Sequence, residues 1–247
     1  MKEQVEIYGI RSIIEAIESS KDISKVYLLK PNSNQSSLFS SLLKLLERKS
    51  IKFSYVPKEK FRKFSDKNHQ GAVAILSPVS LLSIEELLES SYQKDISQPY
   101  PLLDGITDTR NFGAIIRTSV AANISGIVIA QNNSAPINSE VVKASSGGVF
   151  KIPIARVSNL KDAIMHLNSL DIKIVGMSEK ANKPIYEFDF TKSLAIILGS
   201  EDKGISKSII NLSNETLKIP ISEKIDSLNV SVAFSAVAFE ITRQRNY

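Results

Sequence analysis

From about residue 100 to the C-terminus, short apolar runs alternate with segments of helical spacing, and this alternation limits the possible folds more than any other feature. The pattern predicts a strand at 102–103, a helix at 111–123, a strand at 127–130 and helices at 138–145 and 158–169. It continues with strands at 172–175 and 194–198, a helix at 205–211, a short strand near 217–219 and a terminal helix over 229–244. Strands alternating with helices pair in parallel and are covered on both faces, so the expectation is an α/β domain built on a parallel sheet.

The first 76 residues follow the same logic on a smaller scale. Ile10, Ile13, Ile14 and Ile17 mark a helix over 8–18, and a strand at 26–29 ends at Pro31. A second helix over 37–49 places Leu38, Leu42, Leu45 and Leu46 on one face, and strands follow at 51–56 and 71–76, the last before Pro78. Between 77 and 101 the composition turns polar and proline-bearing, broken by a short helix around 84–88, which reads as a linker. At 247 residues the chain exceeds one ordinary domain. The expected division is a domain over 1–78, a linker over 79–99 and a second domain over 100–247.

Charge divides along the same line. Residues 1–78 hold 14 basic and 8 acidic side chains, a surplus of six, whereas 79–247 hold 17 basic and 18 acidic. A basic module joined to a near-neutral one has a polyanion as its commonest partner. With no cysteine there is no disulfide, thiolate nucleophile, iron–sulfur cluster or cysteine-ligated zinc. His69 and His166 stand far apart in sequence, so no metal site is expected. The charged start Met1-Lys2-Glu3 lacks the apolar run of a signal peptide, and no apolar stretch approaches a membrane span. The expectation is a cytoplasmic protein with no membrane partner.

Parallel α/β sheets bind ligands at the carboxyl ends of their strands, and three polar clusters fall at such places. The first runs from Asp104 to Gly113, with Arg117 one helical turn further on. Asp108 or Asn111 could simply cap the helix; Arg117, among Ala114, Ile115, Ile116 and Val120, calls for an anionic partner. The second is Gly199-Ser200-Glu201-Asp202-Lys203-Gly204. Its glycine spacing resembles a phosphate loop, but Ile205 follows where that loop needs lysine, and Glu201 and Asp202 would repel phosphate. A plain helix-entry turn is the alternative. The third is Ser227-Leu228-Asn229-Val230-Ser231, entering a helix rich in small residues. Ser227 or Asn229 could be an N-cap, or the helix start could receive a polar ligand. In the basic module, Lys58, Lys60, Arg62, Lys63 and Lys67 interleave with Phe61 and Phe64, and Phe53 and Tyr55 lie just upstream. Such aromatics more often belong to a core than to a base-stacking platform, so only the charge bears on function; His69 reads as a polar loop contact.

In order and spacing, Asn111-x-Gly113 with Arg117, Gly199-x-Glu201-x-x-Gly204 and Ser227-Leu228-Asn229-Val230-Ser231 resemble the three motifs of the SpoU family of RNA ribose 2′-O-methyltransferases. The resemblance spans roughly 100–246, including Arg243-Gln244-Arg245. Tyr8-Gly9-Ile10-Arg11 and Asn68-His69-Gln70-Gly71 resemble the N-terminal RNA-binding domain of the family's 23S ribosomal RNA guanosine methyltransferases. The resemblance implies a small N-terminal α/β RNA-binding domain followed by a trefoil-knotted parallel-sheet methyltransferase domain. It implies S-adenosylmethionine as cofactor, held near Gly199, Gly204, Ile219 and Leu228. It assigns Arg117 to the phosphate and hydroxyl of the target nucleotide, with Asn111 and Glu201 positioning it, while Ser227, Asn229 and Ser231 hold the ribose. It also implies a homodimer through the knotted domain and an RNA partner, 23S ribosomal RNA, rather than DNA. Thr109-Arg110 departs from the family, which commonly has proline after Asp108. Methylation of transfer RNA, or an inert domain serving ribosome assembly, are the competing readings.

Overall fold

The computed structural model describes residues 6–18, 21–30, 36–77, 79–92 and 99–246. The charged start at 1–5, Pro31 and Pro78 lie outside the described residues, as do 93–98 of the stretch read as a linker. The chain divides into two compact units, Met1–Ser80 with Pro136–Ser139, and Leu81–Ala135 with Glu140–Tyr247.

The first unit carries strands β1 (Glu6–Tyr8), β2 (Ile23–Leu29), β3 (Phe53–Val56) and β4 (Ala72–Leu76) in the order β1-β4-β2-β3. β2 and β3 are parallel, and β4 runs antiparallel to β1 and β2. Helices α1 (Ile10–Glu18) and α2 (Ser37–Arg48) cover one face, where Ile13, Val26, Leu28, Leu42 and Ala74 share a core. In α2 it is Phe39, not Leu38, that is buried beside Leu42, Leu45 and Leu46. β1 has three residues and no readable periodicity; it exists because β4 offers it a pairing edge. The basic run folds as a 3-10 turn, Lys58–Phe64, in which residues three apart share a face. Phe61 and Phe64 therefore point together onto the second sheet face against Val56 and Val73, while the lysines stay exposed.

The two N-terminal signature segments hold each other. The Gly9 N–H donates to Ala72 O at 3.0 Å, and the Ile10 N–H donates to Gln70 Oε1 at 3.1 Å. His69 Nδ1 accepts from the Gly71 N–H at 2.9 Å, a polar loop contact. These motifs shape a strand–helix junction.

Part of the expected linker belongs to the second unit. Leu82 inserts beside Ile154–Val157, accepting from the Arg156 N–H and donating to Ile154 O. Helix α3 (Ile84–Tyr92) follows, and Ser83 with Glu86 forms a reciprocal capping box at 2.7 and 3.1 Å. Leu87 and Leu88 are buried.

The second unit is a seven-stranded parallel sheet. Its strands are β5 (Tyr100–Asp104), β6 (Ile127–Ala130), β7 (Ile154–Val157), β8 (Lys173–Met177), β9 (Lys183–Pro184), β10 (Leu194–Gly199) and β11 (Glu215–Lys218). They lie in the order β7-β6-β5-β10-β8-β11-β9. Strands β7 and β9 were not expected: β7 is four residues long and β9 two, and each is ordered by the strand beside it. On one face Leu102, Val128, Ala155, Ile174 and Ala195 pack against α3, α6 (Leu160–Ser169) and the short α7 (Lys207–Ile210). The neighbouring residues Leu103, Ile129, Ile196 and Leu198 point to the opposite face and are equally buried. There α4 (Thr109–Ala121) packs on the terminal helix α8 (Val230–Asn246). Helix α5 (Ser139–Ala144) and 3-10 turns at Gly148–Phe150 and Ile185–Glu187 complete the described elements. No helix of the described residues is long and apolar enough to cross a membrane.

The last turn of α8 is tied down by the Arg243-Gln244-Arg245 segment. Arg243 grips Glu240 through two hydrogen bonds of 2.9 and 2.8 Å. Gln244 donates to Phe188 O and accepts from the Phe190 N–H, and Arg245 donates to Phe190 O. The Arg243 guanidinium, then the Gln244 amide, hold the Glu240 carboxyl below its ordinary 4.5. Lys183 and Lys173 do the same for Glu215. A carboxyl with a lowered folded-state pKa stabilises the fold above its unfolded pKa, and that contribution is lost as pH falls through the folded value. Thermal melts should therefore show stability dropping below about pH 4.5, and Glu240→Gln should flatten that dependence. In α4, a Cβ on Gly113 would sit 2.3 Å from Ala144 Cβ and 3.1 Å from two backbone atoms. Gly113→Ala gains about 1 kcal/mol of helix propensity but overpacks a backbone contact costing about 1–3 kcal/mol. We expect a net fall in Tm of a few degrees, read by calorimetry.

Candidate active site

The three polar clusters follow β5, β10 and β11, whose carboxyl ends lie at one edge of the second unit's sheet. Strand β10 lies between β5 and β8, with β6 and β7 on one side and β11 and β9 on the other, so the chain's direction of build-up changes there. Ligand clefts form at such switch points. A cavity of about 390 Å³ opens at the ends of β8 and β10 and beside the segment after β11. Leu198, Ile219, Leu228 and Ala233 give it apolar surface, and Gly199 and Gly204 contribute backbone. Glu201, Asp226 and Ser227 supply polar groups. All four residues expected at the cofactor line this one cavity.

The loop after β10 is a tight fold-back. A Cβ on Gly199 would lie 2.0 Å from the Gly204 carbonyl carbon, so only glycine permits the approach. Ser200 and Gly204 exchange backbone hydrogen bonds of 3.2 and 2.8 Å, and the Ser206 N–H donates to Asp104 Oδ2 at 2.8 Å. The loop is thereby fixed to the end of β5.

The capping alternatives resolve unequally. Asp108 caps α4, accepting from the Arg110 and Asn111 N–H groups at 2.8 and 2.9 Å. Those bonds, led by Asn111, hold its carboxyl below the ordinary range. The Asn111 side chain is thus free of capping. Asn229 does two jobs. Its Oδ1 accepts from the Ser231 N–H and hydroxyl at 2.9 and 2.6 Å, capping α8, while its Nδ2 donates to Asn111 Oδ1 at 3.0 Å and to Glu201 Oε1. One amide therefore joins all three clusters. Thr118 and Ser235 add a hydroxyl contact of 3.0 Å between α4 and α8.

Of the residues expected to act on the ribose, Glu201 and Ser227 line the cavity, Asn111, Asn229 and Ser231 join them through hydrogen bonds from outside its lining, and Arg117 stands apart. It is exposed on α4, does not line the cavity, and forms no hydrogen bond or ion pair with the described residues. Being solvated, it needs no anion from this chain, and Asn111 and Glu201 meet on Asn229 rather than on Arg117. Thr109, where the family commonly has proline, donates to Glu140 at 3.0 Å, and Arg110 pairs with Asp108 at 3.4 Å. Met177, at the end of β8, and Ser178, Glu179 and Lys180 after it also line the cavity, although no sequence motif marked them. Their signal was positional: they lie at the carboxyl end of a parallel strand. Among the described residues no group of three His, Asp or Glu could hold a metal. Because Asn229 caps through its oxygen and bridges through its nitrogen, Asn229→Asp should separate the roles. The cap and the melting temperature should survive, whereas the bridge should break and Glu201 should face a second carboxylate; a crystal structure and a thermal melt would check both.

Residues 100–239 match the SpoU rRNA methylase family model, and 7–82 match the RNA 2′-O ribose methyltransferase substrate-binding model. The chain is 32% identical over 241 residues to the 23S rRNA (guanosine-2′-O-)-methyltransferase RlmB of Vibrio vulnificus, covering 97% of this chain and 96% of that protein. It is 31% identical over 245 residues to a Staphylococcus saprophyticus protein named for the TrmH family of tRNA/rRNA methyltransferases, covering 99% and 98%. Among solved structures, the SpoU methyltransferase AviRb of Streptomyces viridochromogenes, crystallised with AdoMet, shares the fold at TM-score 0.61 and 21% identity over 98% of this chain and 90% of that one. An AdoMet-bound rRNA methyltransferase of Sinorhizobium meliloti matches at TM-score 0.59 and 23% identity, over 96% and 86%. With more than half of the chain matching the SpoU methylase model and the preceding segment matching the substrate-binding model, this chain belongs to the SpoU family of RNA 2′-O-methyltransferases.

Proposed function

We propose that this chain methylates the ribose 2′-hydroxyl of a guanosine in 23S ribosomal RNA, using S-adenosylmethionine bound at the cavity beside Gly199. The observation that carries this is the hydrogen-bonded set of Asn111, Asn229 and Glu201, whose Glu201 lines a cavity walled by Gly199, Gly204, Ile219 and Leu228. The cavity fits such a cofactor: it combines apolar side chains with bare backbone at Gly204, where a Cβ would meet nothing within 4 Å. Guanosine as the target rests on the likeness to the Vibrio vulnificus protein, whose name specifies it. The relative named for tRNA and rRNA makes transfer RNA the alternative outcome of the test.

When bound, the cofactor supplies an electrophilic methyl group. The chain's own contribution is placement. A ribose hydroxyl is a poor nucleophile, and orienting it against the methyl carbon accounts for a large share of the acceleration such a site can give. Asn229, held by Ser231 and bonded to Asn111 and Glu201, forms a fixed polar edge for the ribose, and Ser227 lines the cavity beside it. Arg117 anchors the target nucleotide's phosphate. Its guanidinium stays charged near neutral pH, which suits an anchor and makes it a poor proton acceptor.

The homodimer belongs to the same proposal. Val232 and Phe239, two turns apart on α8, are 53% and 51% exposed, an apolar stripe suited to a second copy. A knotted path of the last segments belongs to the same proposal and rests on the likeness to the SpoU family. We place this activity in the cytoplasm, with RNA and not DNA as substrate. Incubation with labelled S-adenosylmethionine and total RNA, followed by nucleotide mapping, tests the reading. Label is expected at one guanosine of 23S RNA; label only in transfer RNA would shift the substrate, and no transfer would overturn the function. Arg117→Ala should lower turnover by at least about a hundredfold, the scale of losing one charged anchor, with cofactor binding unchanged by calorimetry.

A further inference from the structure

We propose that the cleft between the 3-10 turn Lys58–Phe64 and the second face of the N-terminal sheet receives the base of an unpaired RNA nucleotide. The proposal rests on the RNA-modifying reading above and adds where, and in what state, the RNA is held. The cleft has a volume of about 280 Å³, at the small end for a ligand site and suited to one flat ring system. Val73 and Ile75 form its floor, and Tyr27, Phe61 and Phe64 present aromatic surface. Phe61 and Phe64 are buried, while Tyr27 is only half-buried.

Charge around the cleft is of one predominant sign. Lys25 and Lys60 stand 5.2 and 5.7 Å from the Tyr27 ring centre, Lys63 stands 4.9 Å from Phe64, and Lys67 stands 5.9 Å from Tyr8. Aromatic rings among lysines form the pattern that binds single strands, with bases stacking and cations following the backbone. Tyr8 is 38% exposed and extends this surface beside Phe64, 6.3 Å between ring centres. The one carboxylate of the cleft, Glu6, is ion-paired with Lys63 and can only accept hydrogen bonds from a ligand when ionised. The N–H donors of a base edge, and both ring faces, are available together only when the nucleotide is neither paired nor stacked. A duplex offers this cleft its phosphates, 2′-hydroxyls and minor-groove edges, but its internal bases present no free ring face.

The test uses the full-length protein and a roughly 12-nucleotide single-stranded RNA carrying 2-aminopurine, with a blunt duplex of the same sequence as competitor. Binding should quench the 2-aminopurine emission, and the duplex should compete poorly. Tyr27→Leu should weaken binding about 5- to 150-fold and abolish the quench without changing the slope of affinity against salt. Tyr27→Phe should keep both. Lys58→Ala, outside the cleft, should leave the quench and flatten the salt slope by about 0.7. Unquenched emission in the bound wild-type complex would overturn the cleft proposal even if Tyr27→Leu proved unstable. Equal competition by duplex, or normal binding and quench in folded Tyr27→Leu, would overturn it as well. If wild-type protein bound no RNA, the RNA-modifying reading would fall with it, so the two failures are distinguishable.

Discussion

The candidate active site depends on one backbone contact. At the end of β10 the chain turns so sharply that Gly199 lies against the peptide of Gly204 and Ile205, at distances no Cβ could share. That approach lets Ser200 and Gly204 pair, and it leaves Glu201 at the tip of the loop. Asp104, holding the Ser206 amide, transfers the rigidity of the central strands to the same loop. Without the fold-back, Glu201 would have no fixed place from which to meet Asn229.

Asn229 then turns a local capping requirement into a link across the domain. Helix starts leave unpaired amides, and a side-chain oxygen at Asn229 satisfies them. An aspartate or serine would cap as well, but neither offers the amide N–H groups that reach Asn111 and Glu201. The link holds its geometry because α8 is fixed at its other end too, where Glu240, Gln244 and Arg245 engage one another or the 188–192 segment. The Arg243-Gln244-Arg245 signature is therefore an anchor for the helix that carries Asn229. The N-terminal unit solves a different problem. Its helices and the 3-10 turn bury both faces of a small sheet, yet the turn covers its face only partly, leaving aromatic surface beside lysines.

The α/β class, the order of most elements and the three polar clusters were legible in the residues, because 3.6-residue spacing and apolar strand runs are local properties. Strands β1, β7 and β9 were not, since each is short and ordered only by pairing with a strand distant in sequence. The helix at 84–88 was read within a linker, but the packing of Leu87 and Leu88 on the second unit's sheet is a property of contact. The SpoU motifs identified the residues of the site, although not how they divide the work. Sequence left Asp108 and Asn111 as equal candidates for the cap and tied Asn111 and Glu201 to Arg117.

By itself the sequence determined a basic front module, a parallel α/β sheet behind it, and a set of polar residues at strand ends matching one enzyme family. Only the tertiary structure decided that Asp108 caps and Asn111 does not, that Asn229 joins three clusters separated by up to 118 residues, and that Arg117 stands exposed apart from them. It also separated the aromatics of the front module into buried Phe61 and Phe64 and the more open Tyr8 and Tyr27. The physical reason is the same in each case. Periodicity and turn chemistry are set within a few residues, whereas partners, exposure and close approach are set by which distant segments the sheet brings together.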